Sequence, residues 1–204
     1  MTKIIEDGIE AGTWNKYQSR NPIQRRLVRD FLKSLSDMAR PCAVDCHTAI
    51  DLGCGEGVTT ALLRDAGLAN MVGMDFSTQI LDVARTENPD IPFETVSIYD
   101  LNDHHRADFV SACEVLEHLE EPELGLERMA AVCQKHCLLS VPNEPIFRTM
   151  NFCAGKYLSR FGNSPGHLNH WSSGSFVKFV STRFEIVEVR RPLPWTIVLA
   201  RPKP

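Results

Sequence analysis

A strand that ends in a glycine-rich turn and continues as a helix is encoded by Ala49-Ile-Asp51-Leu-Gly53-Cys54-Gly55-Glu-Gly57-Val-Thr-Thr60. Glycine relieves the steric limit on φ and lets the main chain approach a ligand closely. A helix that begins near Gly57 points unpaired N–H groups at whatever occupies the turn. The stretch therefore predicts a site for a nucleotide-like cofactor, although a tight strand-to-helix turn alone would need the same glycines.

A second short apolar run supports the cofactor interpretation. It is Asn70-Met-Val-Gly-Met-Asp75-Phe76-Ser77, and it places a carboxylate about 20 residues after the turn, where the hydroxyls of a ribose need an acceptor. The glycines of a dinucleotide-binding enzyme follow the spacing G-x-G-x-x-G, whereas here they follow Gly53-x-Gly55-x-Gly57. The spacing thus favours a nucleotide-like ligand other than a dinucleotide.

The glycine spacing, with Asp51 two places before Gly53, resembles motif I of the class I S-adenosylmethionine-dependent methyltransferases. The later segment Asp108-Phe-Val-Ser-Ala-Cys113-Glu114-Val-Leu-Glu117-His118-Leu119 is similar to the fourth-strand segment of the same superfamily. The two motifs occur in the expected order, and the resemblance covers roughly residues 45–200 at the level of the fold. It implies an enzyme that uses S-adenosylmethionine as its cofactor, and in motif style it is closest to the O-methyltransferases of ubiquinone biosynthesis.

The resemblance also implies a binding role for individual residues around the cofactor. It assigns the methionine end to Asp51 and to the backbone of the glycine turn, the ribose hydroxyls to Asp75, and one face of the adenine to Phe76. Many relatives carry an acidic residue where Ser97 stands, so adenine recognition here would use main-chain groups or Asp100. The complete set of expected cofactor-binding residues is Asp51, Gly53, Cys54, Gly55, Gly57, Asp75, Phe76, Ser97, Ile98, Cys113, Glu114 and Tyr17.

Alternating strand and helix patterns predict an α/β fold of the Rossmann-like, doubly wound kind. The expected sheet has seven strands and is mostly parallel, with an antiparallel last strand. Strand patterns lie at 48–52, 71–76, 93–98, 109–115, 137–141, 185–190 and 196–200, and helical patterns lie at 58–66, 78–85, 123–132 and 173–182. In such a sheet the ligand lies beyond the carboxyl ends of the strands, which is where the expected binding residues occur.

Two additions to this domain are predicted. Residues 1–41 are interpreted as a helical N-terminal extension, in which Asn21-Pro22 begins an amphipathic helix that Pro41 ends. Residues 143–171 are longer than an ordinary connection and carry an apolar stripe, so they are interpreted as a helical cap over the acceptor site, with permanent packing on the sheet edge as the alternative. We expect one domain spanning residues 1–204.

Methyl transfer requires a base only where the acceptor must lose a proton, because the sulfonium is already activated and alignment supplies most of the catalysis. Histidine is the usual choice near neutral pH. The candidates for proton handling or acceptor orientation are His118, His170, His167 and Glu117. The acceptor is expected to be a small molecule that is methylated on oxygen, or less readily on nitrogen.

A divalent metal is the alternative use of the same segment. Glu114, Glu117 and His118 have the i, i+3, i+4 spacing that places three ligands on one face of a helical turn, and His170 could complete the set. This arrangement resembles the metal site of the small-RNA 2′-O-methyltransferases, but much of the superfamily carries the same sequence motif without a metal. We therefore expect no metal, and keep a metal-assisted RNA 2′-O-methyltransferase and a non-catalytic cofactor-binding protein as alternatives.

Composition limits the partners and the compartment. The formal net charge of −4 over 204 residues gives no general attraction to nucleic acid. No apolar run reaches the roughly 20 residues that span a bilayer, and the first residues lack the pattern of a signal peptide, so we expect no membrane insertion and a cytoplasmic protein. The oligomeric state is left open.

Seven cysteines are present, and four of them form the pairs Cys42/Cys46 and Cys133/Cys137. The pairs precede or begin strands that we expect to be one strand apart in the sheet, so a shared metal site is geometrically allowed. Because the spacing differs from the Cys-x-x-Cys of zinc sites, we interpret them instead as reduced thiols packed at the beginnings of strands.

Overall fold

A computed structural model describes residues 4–6, 9–11, 21–153 and 166–203 of the chain. Nine strands occur in these residues: β1 (Ile4–Glu6), β2 (Ile9–Ala11), β3 (Ala49–Leu52), β4 (Met71–Asp75), β5 (Phe93–Thr95), β6 (Ala107–Cys113), β7 (Cys133–Pro142), β8 (Phe184–Arg190) and β9 (Trp195–Pro202). The α-helices of the same residues are α1 (Pro22–Ala39), α2 (Val58–Asp65), α3 (Thr78–Glu87), α4 (Pro122–Val132), α5 (Glu144–Cys153) and α6 (Ser173–Val180).

Seven strands form one sheet in the order β5-β4-β3-β6-β7-β9-β8. The pairs from β5 to β7 are parallel, and β9 is antiparallel to both of its neighbours, β7 and β8. The sequence order changes direction at β3, so β3 and β6 flank the switch point where ligands bind in open α/β sheets. The predicted Rossmann-like fold with an antiparallel last strand is therefore confirmed.

Helices cover both faces of this sheet because successive strand residues alternate between two apolar clusters. One cluster joins Ile50, Val110 and Leu139 to the buried residues of α4 and α6. The other joins Phe109, Leu138 and their neighbours to α1 and α2. The central strands β3 and β6 are buried at every position, which is the sign of a sheet covered on both faces.

Helix α1 begins as predicted at the Asn21-Pro22 pair. The Asn21 side chain accepts hydrogen bonds from the backbone N–H groups of Ile23 and Gln24, and the fixed φ of Pro22 suits the first helical position. The buried stripe of the helix includes Phe31, whose ring centroid lies 4.7 Å from that of Trp195 at the start of β9. Helix α1 is thereby anchored to the last strand of the sheet.

The N-terminal extension differs from the prediction before α1, because β1 and β2 pair there as a small antiparallel sheet instead of a helix. Isoleucine is β-branched and favours strands, which accounts for the local preference. Of the expected cap, α5 is described, whereas residues 154–165 and the candidate Tyr17 lie outside the described residues.

The two cysteine pairs pack on different faces of the sheet. Cys42 and Cys46 belong to the cluster with α1, and Cys133 and Cys137 belong to the cluster with α4. Burial raises the pKa of Cys42 to about 11 and that of Cys46 to about 12, so both are neutral thiols. The pairs therefore do not converge into one four-cysteine group.

Among the described residues, none of the helices has both the length and the apolar character needed to cross a membrane.

Candidate functional site

The glycine turn has the left-handed backbone that its sequence predicts. The φ angles are 64° at Gly53, 54° at Gly55 and 81° at Gly57. A Cβ at Gly53 would lie 2.5 Å from Val115 Cγ2, whereas a Cβ at Gly55 would meet no atom of the described residues within 4 Å. Gly53 thus permits close packing beneath the turn, and open space lies beside Gly55.

Asp51 supports the turn from the end of β3. Its carboxylate is 1% exposed and accepts hydrogen bonds from the hydroxyls of Thr59 (2.9 Å), Thr60 (2.7 Å) and Ser111 (2.7 Å). Burial raises the pKa of Asp51, and the three hydroxyl donors oppose that rise. These hydrogen bonds join β3, α2 and β6 beneath the turn.

Asp75 connects the second motif to the first. Its Oδ2 accepts the backbone N–H of Gly55 at 3.0 Å, and its Oδ1 accepts that of Ser77 at 3.0 Å. Asp75 therefore holds the glycine turn at the end of β4, on the ligand edge of the sheet.

The remaining expected cofactor residues follow neighbouring strands at the same edge. Phe76 and Ser97 are half-buried, whereas Ile98 and Cys113 are buried. Ser97 accepts the backbone N–H of Tyr99 at 3.3 Å and begins a short 3-10 helix, and Asp100 is exposed. The edge is therefore formed by the turns after β3, β4, β5 and β6, as the sequence predicts.

Glu114 does not share a helical turn with Glu117 and His118. It has a left-handed φ of 62°, and its Oε2 accepts the indole N–H of Trp195 at 2.7 Å. The 3-10 helix that carries the other two residues starts only at Leu116. The expected set of three ligands on one helical face is therefore wrong, because the chain reverses at Glu114 before the helix begins.

A different set of three groups converges at this rim. One ligand atom each from Glu117, His118 and His167 lies within 4.8 Å of the others. The backbone fixes this arrangement, since the carbonyl of Glu117 accepts the N–H groups of Leu168 at 2.8 Å and Asn169 at 3.0 Å. His170, the other histidine of the segment, is exposed and does not belong to this set.

Both histidines of the set are oriented by acceptors on Nδ1. His118 Nδ1 donates to the carbonyl of Gly166 at 2.9 Å, and His167 Nδ1 donates to Oε1 of Glu144 at 2.8 Å. In a neutral imidazole this leaves Nε2 of each ring as the basic nitrogen. The ring centroids of the two histidines are 5.0 Å apart, so their basic nitrogens occupy one small region.

Glu144 is the functional candidate that the sequence analysis missed. It is 6% exposed, and its backbone N–H donates to the carbonyl of Trp171 at 3.0 Å, which brings the His167 segment beside the end of β7. The signal was available, because Glu144 follows a predicted strand at the ligand edge just as Gly53 and Asp75 do. A buried carboxylate beside an imidazole can orient a general base.

Comparison with known proteins agrees with this geometry. A family model described as a methyltransferase domain matches residues 50–141. The chain is 26% identical over 119 residues to a ubiquinone biosynthesis O-methyltransferase of Hydrogenovibrio crunogenus, covering 55% of this chain and 45% of that protein. It is 34% identical over 140 residues to a trans-aconitate 2-methyltransferase of Methylobacterium nodulans, covering 62% and 54% respectively.

The fold is shared with a solved magnesium protoporphyrin IX methyltransferase from Synechocystis PCC 6803 with bound SAH. The TM-score is 0.69 at 19% identity, over 93% of this chain and 92% of that one. The chain spans about half the length of the curated relatives that it matches. The segment matched by the family model contains the glycine turn and strands β4, β5 and β6.

The packing beneath the turn generates a prediction. Gly53→Ala and Gly55→Ala should each lose about 1–2 kcal/mol of unfolding free energy, since alanine disfavours a left-handed φ. Gly53→Ala should lose about 1–3 kcal/mol more, because its Cβ overlaps Val115. Urea denaturation measures both, and Val115→Ala in the Gly53→Ala background should recover part of the additional loss. Equal losses in the two single variants would contradict the packing of Gly53 on Val115.

Proposed function

Because the chain belongs to the class I S-adenosylmethionine-dependent methyltransferase superfamily, we propose that it transfers the methyl group of S-adenosylmethionine to an oxygen of a small-molecule acceptor. The observation that carries the choice of oxygen is the hydrogen bond from His167 to the buried Glu144. A hydroxyl must lose a proton to be methylated, and this pair can accept it.

The residues at the ligand edge fit the cofactor. No atom of the described residues lies within 4 Å of a Cβ built on Gly55, which leaves room for a ligand against bare backbone. Oδ2 of Asp75 lies 3.0 Å from the backbone nitrogen of Gly55, and a carboxylate is a suitable acceptor for the hydroxyls of a ribose. Phe76 is half-buried after β4, where its ring can contact the adenine of the cofactor. When bound, S-adenosylmethionine supplies the activated methyl group, and the protein supplies alignment.

His167 is the proposed base, and His118 is proposed to orient the acceptor. Glu144 holds the Nδ1–H of His167, so Nε2 faces away from the carboxylate with its lone pair available. Stacking of Phe147 on the His167 ring, at a centroid distance of 5.7 Å, adds an apolar wall on one side. The proton of the acceptor hydroxyl would pass to Nε2 as its oxygen gains the methyl group.

Support for a small molecule comes from the relatives and from charge. The relatives bear the names of O-methyltransferases and of a trans-aconitate 2-methyltransferase. The net charge of −4 provides no general attraction to the phosphates of a nucleic acid. Both observations favour a small hydroxylated or acidic acceptor.

Metal-assisted transfer, such as that to an RNA 2′-hydroxyl, is the second candidate. The observation in its favour is the convergence of Glu117, His118 and His167. Imidazole and carboxylate ligands accept Mg²⁺, Mn²⁺ or Zn²⁺, and histidines that ligate a metal usually donate their other N–H to a carboxylate or a carbonyl, as both do here. The metal would then polarise the acceptor hydroxyl.

The cofactor assignment predicts the effect of one substitution. Asp75→Asn should weaken binding of S-adenosylmethionine by about 10- to 100-fold, because a hydrogen bond to a charged acceptor contributes about 1.5–3 kcal/mol. Isothermal titration calorimetry measures the affinity of each variant for S-adenosylmethionine. Asp82→Asn is the matched control, since Asp82 is exposed on the next helix and bonds Arg85. Unchanged affinity in Asp75→Asn would remove Asp75 from the cofactor site.

The base assignment predicts a rate effect without a binding effect. Methyl transfer from labelled cofactor to a panel of hydroxylated small molecules should fall about 10²- to 10⁴-fold in His167→Ala, while cofactor affinity stays unchanged. The rate of methyl transfer should fall less in Glu144→Gln, because the imidazole remains but loses its orienting carboxylate. The exposed His104 provides the control variant His104→Ala. A larger loss in His170→Ala than in His167→Ala would contradict the assignment. Cofactor binding without transfer to any acceptor would favour a non-catalytic role.

The two candidate mechanisms respond differently to chelation. If His167 acts as the base without a metal, transfer should persist after treatment with EDTA and in Glu117→Gln. If a metal is required, chelation should abolish transfer, added Mg²⁺, Mn²⁺ or Zn²⁺ should restore it, and Glu117→Gln should reproduce the loss. Small RNA and small-molecule acceptors are assayed in parallel, so that the need for a metal and the class of acceptor are determined separately.

A further inference from the structure

We infer that the chain binds a zinc ion through Asp45, Cys46 and His136, at the amino-terminal edge of the parallel strands. These residues lie at the edge opposite the glycine turn, since Asp45 and Cys46 precede β3 and His136 lies near the start of β7. One ligand atom of each lies within 4.8 Å of the others. The site is separate from the proposed reaction site and independent of it.

Two of the three distances between the ligand atoms are close to those of a zinc tetrahedron. Asp45 Oδ1 lies 3.7 Å from Cys46 Sγ and 3.4 Å from His136 Nε2. Zinc bonds of about 2.3 Å to sulfur, about 2.05 Å to nitrogen and about 2.0 Å to oxygen place the sulfur about 3.5 Å and the nitrogen about 3.3 Å from the oxygen. These two distances would therefore change by only a few tenths of an ångström on zinc binding, and the third, between the cysteine and the histidine, already lies within 4.8 Å.

Burial of the imidazole points to a ligand. The side chain of His136 is 8% exposed, its Nδ1 has no hydrogen-bond partner within the described part of the chain, and Nε2 faces Asp45 at a distance typical of an ion pair. Nε2 is therefore the ring nitrogen placed to bind an ion, because it is the one that faces the Asp45 carboxylate.

The donor set selects the metal. Zinc would displace the proton of the neutral Cys46 thiol, and the resulting thiolate is a soft ligand that favours zinc over magnesium or calcium. Imidazole and carboxylate complete a common zinc combination. Three protein ligands leave the fourth position for water. That position has room, because Asp45 and His136 line an open cleft of about 350 Å³ together with Gln134, Lys135, Arg201 and Pro202.

Nearby positive charge is balanced without the three ligands. The ammonium of Lys135 lies 3.1 Å from Oδ1 of Asp108 and donates to the backbone carbonyl of Asp45. Neither bond uses the Asp45 carboxylate. The ion would therefore tie the loop before β3 to strand β7 while Lys135 keeps its own partner.

The test uses cobalt as the probe on protein freed of metal by chelation. Cobalt should give a thiolate-to-metal charge-transfer band and the visible bands of tetrahedral coordination, and zinc should displace it. The group formed by Glu117, His118 and His167 contains no sulfur, so it gives no such charge-transfer band. Absence of the band in the wild-type protein at saturating cobalt would overturn the site.

Matched variants assign the ligands. Cys46→Ser should abolish the charge-transfer band. Asp45→Asn should lower the affinity for zinc by more than the roughly 10- to 100-fold that is typical of losing an outer-shell partner. His47→Ala is the control, because the His47 side chain is exposed beside Cys46. The hydrogen bond of His47 to Asp108 comes from the backbone N–H, which the substitution keeps. A band that persists in Cys46→Ser would refute the assignment.

Stability gives a readout that does not depend on methyl transfer. Zinc should raise the melting temperature of the wild-type protein and of His47→Ala, because a ligand that binds only the folded state stabilises it by mass action. The rise should be smaller in Asp45→Asn, whose side chain is exposed and whose fold is therefore retained. Equal zinc-induced shifts in all three proteins would contradict the proposal.

Discussion

The carboxylate of Asp51 lies beneath the glycine turn, and the shape of the ligand edge depends on it. It is buried at the end of β3 and accepts hydroxyl hydrogen bonds from Thr59 and Thr60 of α2 and from Ser111 of β6. Removing a carboxylate from water costs several kcal/mol, and each hydrogen bond to a charged acceptor returns about 1.5–3 kcal/mol. Three donors are therefore needed to offset the burial, which is why three elements meet at this point.

The carboxylate of Asp75 also holds the glycine turn in place. Asp75 accepts the N–H of Gly55, so the turn is held from below by Asp51 and from the side by Asp75. The far rim is tied to the last strand, because the N–H of Asn143 donates to the carbonyl of Pro194 and the indole of Trp195 donates to Glu114. Insertion of β9 beside β7 thus positions both rims, although β9 is the last element along the chain.

The fold could be predicted from sequence because its determinants are local. Short apolar runs, a glycine turn and helix caps such as Asn21 each indicate structure within a few residues. Glu114 was placed wrongly for the opposite reason, since helical spacing was assumed across a residue that adopts a left-handed φ to bond Trp195, 81 positions away in sequence. Glu144 and His167 meet only through the contacts around Trp171, which no local pattern specifies.

The hydrogen bonds on Nδ1 of His118 and His167 make the two candidate mechanisms mutually exclusive at a given moment. Each bond directs the basic lone pair to Nε2, and that lone pair can hold a proton or a metal ion, but not both. With a metal held there, His167 could not take the proton of the acceptor; the metal would polarise the acceptor hydroxyl, and water would take the proton. Without a metal, the carboxylate of Glu144 would stabilise the imidazolium that the proposed proton transfer forms. The same buried pair would therefore suit either chemistry, and metal occupancy would decide which one operates.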